Sequence, residues 1–532
     1  MNNLTTKVLI SLVILVSWAK AGLAGDWILH TINLLVFTFS ITLIKPKYNI
    51  RFRLLSILPL IIVSTQFLLS YSNPLFKIID ESGWAKLNIN KYFSEEKDIH
   101  KNILVSKVFK DIETLSDQNP ELALAIFFNF KNHFFNKYPR YDGPTANLIF
   151  EFEGMIQNHP NPFIPSSVLS NKGLIFNFIN TISQVLIGFI LFFSINKRKH
   201  IRRILLVLSI NIGILAFVGI LQKLNYKPSD SHLEIFGIWN TPEPRYFFSS
   251  FTYKNHWSAF ALMGFSTSIA LLVDSYRRYG KSFTKKISNF LLFLSTLFII
   301  ISIPLSGSRS GTILMILSFA LLSFTTLKFL GFLTYKNVFI FLVLIILGLI
   351  AVLSFISKVN SNTTDEMTNN IKIQLTELSH GKLPLRILLW NDLFEQIIHR
   401  PIYGYGFNSY KIINPIYQSP EVRNLREKGV QLARQKYTPL IGYAHNDWLE
   451  RISEFGLIGL FCVTPFLYFI FIQLFKSYSL FNKLILIGLV IYLIYSFIDF
   501  PSQTPANLIL FSSLVGITLK YSFLTQKRVF AK

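Results

Sequence analysis

The chain has a single cysteine, Cys462, in 532 residues. One thiol excludes an intrachain disulfide and a multi-cysteine metal cage. Any long segment facing an oxidising space must therefore hold together by packing alone. Charge is sparse as well: 15% of residues are Asp, Glu, Lys or Arg, against about a quarter in an ordinary globular protein. Acidic residues are the scarcer sign, 28 against 52 basic ones, for a net charge of +24. That excess invites a nucleic-acid partner, but its placement along the chain explains it as a topology signal, and no nucleic acid is expected. The alternation of apolar and polar residues that marks a transmembrane β-barrel is missing. Runs such as VFIFLVLIILGLIAVLSFI (338–356) are apolar on every face. No internal repeat or low-complexity segment stands out.

What is present is hydrophobic length. Hydrophobic residues make up 51% of the chain, and several apolar runs reach the roughly 20 residues needed to span a bilayer. The expected fold class is all-α: one polytopic transmembrane bundle over 1–532 with about twelve spans. These fall at 7–24, 27–44, 54–71, 173–195, 203–222, 256–273, 287–304, 310–330, 337–357, 455–475, 483–499 and 506–523. Lys7 and the AGLAG at 21–25 would also suit a cleaved signal peptide, but the first span is read as a retained anchor.

The basic segments KPKYNIRFR (45–53), NKRKHIRR (196–203), RRYGKSFTKK (277–286), KFLGFLTYK (328–336), KSYSLFNK (476–483) and QKRVFAK (526–532) all fall on one side of that alternation. By the positive-inside rule this side and both termini are cytoplasmic. Two long loops, about 72–172 and 358–446, are then external, with shorter ones at 223–255 and 304–310. The first has apolar periodicity in ELALAIFFNFKNHFF (121–135), predicting helices packed against the membrane surface.

Four polar clusters lie at the external mouth. PEPRYFFSSFTYKNHWSAFAL (242–262) carries Arg245, Lys254, Asn255 and His256 into a span, and PLSGSRSGT (304–312) is a tight turn with Arg309. LPLRILLWNDLFEQIIHRPIYGYGFNSY (383–410) has a helical apolar stripe at 385, 388, 389, 393 and 396–397, with Arg386 near its start. YAHNDWLERISEFGLIG (443–459) holds His445. Each has a bland structural reading: a snorkelling arginine, a hydrogen-bonded interface histidine, a loop GYG at 404–406, and a solvated basic helix at 422–436. Together they read more sharply. Guanidinium groups match phosphate oxygens bidentately, and a histidine accepts a hydroxyl proton near neutral pH. A lipid-linked phosphate or diphosphate at the outer leaflet, attacked by an acceptor hydroxyl, fits both. No Cys/His metal spacing or serine-hydrolase elbow stands out, so the simpler reading needs no metal and no cofactor.

These residues resemble the superfamily of O-antigen ligases and polysaccharide polymerases. His445-Asn446 is followed by nine residues and then Gly456-Leu-Ile-Gly459, as in that superfamily. Arg245 ahead of SSFTYKNHWSAFA resembles its Arg…Gly-Thr-Phe…Asn…Ala segment, with Ser249-Ser250 replacing Gly-Thr. SGSRSG and RILLW…PIYGYGFNSY resemble its Ser-Arg turn and its Arg…Trp…Pro-x-x-Gly-x-Gly segment. The resemblance covers roughly 240–520 and leaves out the 72–172 loop.

It implies a metal-independent, inverting glycosyltransferase at the outer face of the bacterial inner membrane. The donor would be a glycan on undecaprenyl diphosphate. Arg245 and Arg309 would hold the diphosphate, and His445 would be the base. Arg386 would contact sugar or phosphate, Asn446 would orient His445, and Lys254, Asn255 and His256 would assist in binding. Glu450 and Glu454 would orient acceptor hydroxyls or simply pair with Arg451. The leading acceptor is lipid A-core, to which the basic 422–436 segment lends slight weight. Alternatives are a second lipid-linked repeat, as in a polymerase, or a protein hydroxyl, as in a protein O-oligosaccharyltransferase. A twelve-span transporter is the remote alternative.

Overall fold

The computed structural model describes residues 2–40, 50–77, 107–115, 119–138, 143–158, 160–225, 234–241, 246–331, 384–433, 440–476 and 479–529. The chain is nearly all helical. In order, α1 is Asn2–Trp18, α2 Asp26–Ser40, α3 Ile50–Tyr71, α4 Pro120–Lys137, α5 Pro144–Ile156, α6 Asn171–Ser194, α7 Arg198–Asn225 and α8 Lys254–Tyr279. There follow α9 Ile287–Leu305, α10 Arg309–Leu330, α11 Leu385–His399, α12 Tyr410–Tyr417, α13 Pro420–Ala433, α14 Asp447–Lys476, α15 Leu480–Tyr495 and α16 Pro505–Val529. Among the described residues the sheet is a small antiparallel hairpin, β1 (Glu234–Ile235) with β2 (Trp239–Asn240), which turns through Phe236 and Gly237, both at positive φ.

Wherever residues are described, the apolar windows fall on helices; the window 337–357 lies outside them. Among the described residues, six helices are long and apolar enough to cross a membrane: α6, α7, α8, α9, α10 and, over Pro505–Thr525, α16. Shorter apolar helices occupy Leu4–Trp18, Ile61–Tyr71 and Leu480–Tyr495.

The described residues cluster into two units. The first takes Met1–Tyr48, Asn180–Thr376 and Phe466–Lys532; the second takes Asn49–Ile179 and Glu377–Pro465. In the first, α8 is the central helix, touching α7, α9, α10, α15 and α16. Most of its apolar window (83%) is buried by protein, against 22% for the peripheral α10. Small residues permit this. Gly264 of α8 lies against Ile212, Gly488 against Ser266, and Gly311 against Ser258, so a Cβ at any of them would collide. Close backbone approach of this kind replaces the hydrophobic drive that helices lack in lipid.

At one end of this unit the starts of α7 and α15 meet the ends of α8, α10 and α16. Arg202 donates to Asp274 Oδ2 at 2.8 Å and to the Tyr521 hydroxyl at 3.1 Å, joining the start of α7 to the ends of α8 and α16. The opposite end carries the starts of α8, α10 and α16.

The second unit is built on phenylalanine. Its core gathers Phe109, Phe127, Phe130, Phe134 and Phe152 from the first long loop with Tyr405, Phe407, Ile412 and Ile413 from the second. The predicted helix at 121–135 exists as α4, with Pro120 at its first position and Asn119 as its cap, Oδ1 accepting from the Leu122 N–H at 3.0 Å. Its apolar positions meet α12 and this core. The expected partner was the membrane surface; the buried face meets protein, because the aromatic rings of one loop fill the gaps left by those of the other.

Candidate functional site

In the second unit the site begins with a backbone conformation. His445 has φ 55°, in the left-handed region that few non-glycine residues adopt. Such a conformation costs about 1–3 kcal/mol and persists only where neighbours over-determine it. The neighbours here are specific. The preceding Ala444 is fully buried; its N–H donates to Glu450 Oε2 at 3.0 Å, and its carbonyl accepts from the Trp390 indole at 3.0 Å. On the other side Asn446 caps α14, its Oδ1 accepting from the Leu449 N–H at 3.1 Å. Ala444 also packs with Leu393 and Tyr410 in a small apolar cluster. His445 is therefore held between two tied residues, with its ring half-buried.

Gly456 (φ 63°, ψ −163°) breaks α14, separating the turns 447–455 from the apolar stretch beyond. That break is where the GYG loop docks. Tyr405 N–H donates to Ser453 O at 3.0 Å, Gly406 N–H to Glu454 O at 2.8 Å, and Leu457 N–H to Pro401 O at 2.8 Å. A Cβ on Gly404 would overlap Ser453 and Glu454, and one on Gly456 would overlap Ile402. The glycines thus let two backbones touch, which accounts for GYG without a phosphate cradle.

Beneath this loop lie buried carboxylates. Burial, and then the neighbouring Glu454, hold Glu450 well above the usual carboxylate range. Glu454 pairs with Arg451 Nη1 at 2.6 Å and is raised by burial against that pull. The pairing anticipated for these acids is thus present for Glu454, while Glu450 instead holds the Ala444 amide. Burial and the nearby Glu450 also push the Tyr410 phenol up. Its hydroxyl accepts from Asn414 at 3.0 Å, and Gln418 donates to Asn414 at 2.7 Å. Arg426 reaches Gln418 Oε1 at 3.2 Å, and Arg423 the Gln418 carbonyl at 2.7 Å. Burial pushes the Arg426 guanidinium down to about 10. Within the 422–436 basic run, then, Arg423 and Arg426 turn inward and brace the loop; residues 434–436 lie outside those described. Arg386 sits half-buried in the first turn of α11, the helix that carries Trp390.

The first unit holds the other candidates. Lys254, Asn255 and His256 open α8. Asn255 donates to Asp499 and lies 3.0 Å from the Tyr253 hydroxyl, while His256 Nδ1 meets Thr504 Oγ1 at 2.6 Å. Ser308 caps α10, accepting from Gly311 N–H at 3.1 Å and meeting the Tyr495 hydroxyl at 3.0 Å. Arg309 follows as the first residue of α10 and is half-buried. Lys254 Nζ lies 3.6 Å from where a side chain on Gly307 would begin, so the lysine overhangs the Ser-Arg turn. A helix N-terminus with a lysine and an arginine suits an anionic oxygen ligand. Arg245 lies outside the described residues. Ser249, where the resemblance expects glycine, keeps the backbone that glycine serves, with φ 55°.

The structure thus brings His445, Asn446, Glu450 and Glu454 together in one unit, and Lys254, Asn255, His256 and Arg309 together in the other. Trp390, Tyr410 and Asp499 were not singled out from sequence. Asp499 has a visible signal, an acid followed by two prolines in DFPSQTP between apolar runs. Trp390 stood in the quoted RILLW but has no chemistry of its own to attract notice.

Residues 294–464 match the protein family described as O-antigen ligase. This stretch of the chain is similar to an O-antigen ligase domain. It contains Arg309, Arg386, His445, Asn446, Glu450 and Glu454, and ends before Asp499; Arg245 and Lys254–His256 precede it. No curated protein matches the chain. The resemblance read from His445-Asn446 and Gly456-x-x-Gly459 is borne out at the level of the superfamily.

Proposed function

We propose that this protein is an inner-membrane glycosyltransferase with cytoplasmic termini and an outward-facing site, moving a glycan from undecaprenyl diphosphate to an acceptor sugar hydroxyl on lipid A-core. The hydroxyl proton passes to the His445 ring as the acceptor oxygen bonds to the anomeric carbon. The bond from that carbon to the diphosphate oxygen breaks, and its electron pair leaves with undecaprenyl diphosphate. A single displacement inverts the anomeric centre. Arg245 and Arg309 hold the diphosphate and stabilise its growing charge, with Lys254 beside Arg309 as a further cation. Arg386 contacts the donor. No metal or cofactor is assigned a role.

The observation that carries this reading is the His445 backbone, held in the left-handed region by Trp390, Glu450 and the Asn446 cap inside the O-antigen ligase domain. The test is reconstitution with an undecaprenyl-diphosphate glycan and three acceptors: lipid A-core, a second lipid-linked glycan, and a protein. Asparagine tolerates the left-handed region, so His445→Asn preserves the turn while removing the base. Transfer is expected to fall by about 10²–10⁴-fold with the melting temperature unchanged; full activity would remove His445 as the base. Product on a second lipid-linked glycan or on protein would move the assignment to the polymerase or the protein-glycosylating branch.

A further inference from the structure

A cavity of about 230 Å³ opens at the basic end of the first unit, between the start of α7 and the ends of α8, α10 and α16. Two arginines line it, Arg198 and Arg277, and neither pairs with a carboxylate among the described residues. The one acid in its wall is Asp274, already engaged by Arg202 at 2.8 Å and by Arg278. The Tyr521 hydroxyl accepts from Arg202 at 3.1 Å, which leaves its own proton for a ligand oxygen in the cavity. Phe329, 5.1 Å from the Arg277 guanidinium, and Phe481 form an apolar flank beside these charges.

We propose that this cavity binds the phosphate headgroup of an anionic phospholipid. Arginine matches phosphate oxygens in a bidentate fork, and basic pockets between transmembrane helices suit anionic headgroups. The volume is below the roughly 300–1,000 Å³ of pockets that enclose whole drug-sized ligands, so it takes a headgroup and leaves the acyl chains along the helices. Arginines that only set topology need no concave site. These two line one, beside an acid neutralised by other arginines and an apolar flank where lipid tails would begin. The site is independent of the glycan-transfer reading.

The test is native mass spectrometry of the full-length protein released from detergent with phosphatidylglycerol or phosphatidylethanolamine of the same acyl chains. Phosphatidylglycerol is expected to be retained several-fold more. Arg198→Gln with Arg277→Gln, and separately Thr525→Trp, which fills the cavity without changing charge, are expected to reduce retention to the phosphatidylethanolamine level. Lys197→Gln with Lys199→Gln, exposed at the same end, is expected to leave it unchanged. Equal retention of the two lipids, an equal loss in the lysine variant, or full retention in Thr525→Trp would each overturn the proposal. Displacement of the lipid by equimolar soluble glycerol phosphate would overturn a lipid as the source of the phosphate. If the arginine pair does not purify as a single species, Thr525→Trp decides.

Discussion

At the scale of single residues, Ala444 links the backbone to the chemistry. It has no functional side chain, yet both of its backbone groups are claimed by side chains, Glu450 for the N–H and Trp390 for the carbonyl. On the proposed mechanism both are positioning residues for His445. Glu450→Ala orphans a buried N–H and is expected to cost about 1–3 kcal/mol. Glu450→Gln keeps an acceptor oxygen and removes the titration. Because its folded-state affinity for a proton is raised, Glu450 contributes stability that is full below its unfolded pKa of about 4.3 and is lost as pH rises toward the folded value. The melting temperature of the wild type, measured against Glu450→Gln from acid to neutral pH, should fall relative to the variant. A constant difference across that range would show that Glu450 is ionised in the folded protein.

At the scale of elements, the turns 447–455 and the loop 401–410 form one device held by backbone contacts. Gly404, with φ 67°, sits against Ser453 and Glu454, where any side chain overlaps main-chain atoms. Gly404→Ala is expected to destabilise by about 1–3 kcal/mol, from overpacking and from its positive φ together. Gly154, inside α5, has nothing within 4 Å of a built Cβ. Gly154→Ala should instead stabilise by about 0.5–1 kcal/mol. Thermal denaturation of both variants in one detergent checks the contrast; the same sign for both would contradict the packing described.

At the scale of the whole molecule, the 72–172 loop gains a purpose that the resemblance did not supply. Its described helices and the 403–417 segment share one phenylalanine core, so helices of the first long loop support that part of the second. Phe127 is fully buried, its ring centroid 4.4 Å from that of Phe152. Phe127→Ala is expected to cost about 3–5 kcal/mol. Because Tyr405 and Phe407 belong to that core, limited proteolysis should expose the 403–417 segment as readily as 120–156. Cleavage confined to 120–156 would show that the two loops are stabilised separately.

The sequence by itself determined the class of molecule, the helices under its apolar runs, and the superfamily. Apolar runs and basic flanks are local in the chain, and so are His445-Asn446 and Gly456-x-x-Gly459. The Arg309 turn was legible for the same reason, since a short turn between two apolar runs needs no partner to be recognised. The tertiary structure alone decided what surrounds them. Trp390 is 54 residues from the Ala444 it holds, and Asp499 is 244 from Asn255. The sharing of α4's apolar face with α12 depends on contacts across nearly three hundred positions. Periodicity shows that a face is buried and leaves its partner open, because one aromatic surface packs as readily on a bilayer as on protein. Packing made that choice here, closing helices of the first long loop and the 405–413 stretch of the second into one aromatic core.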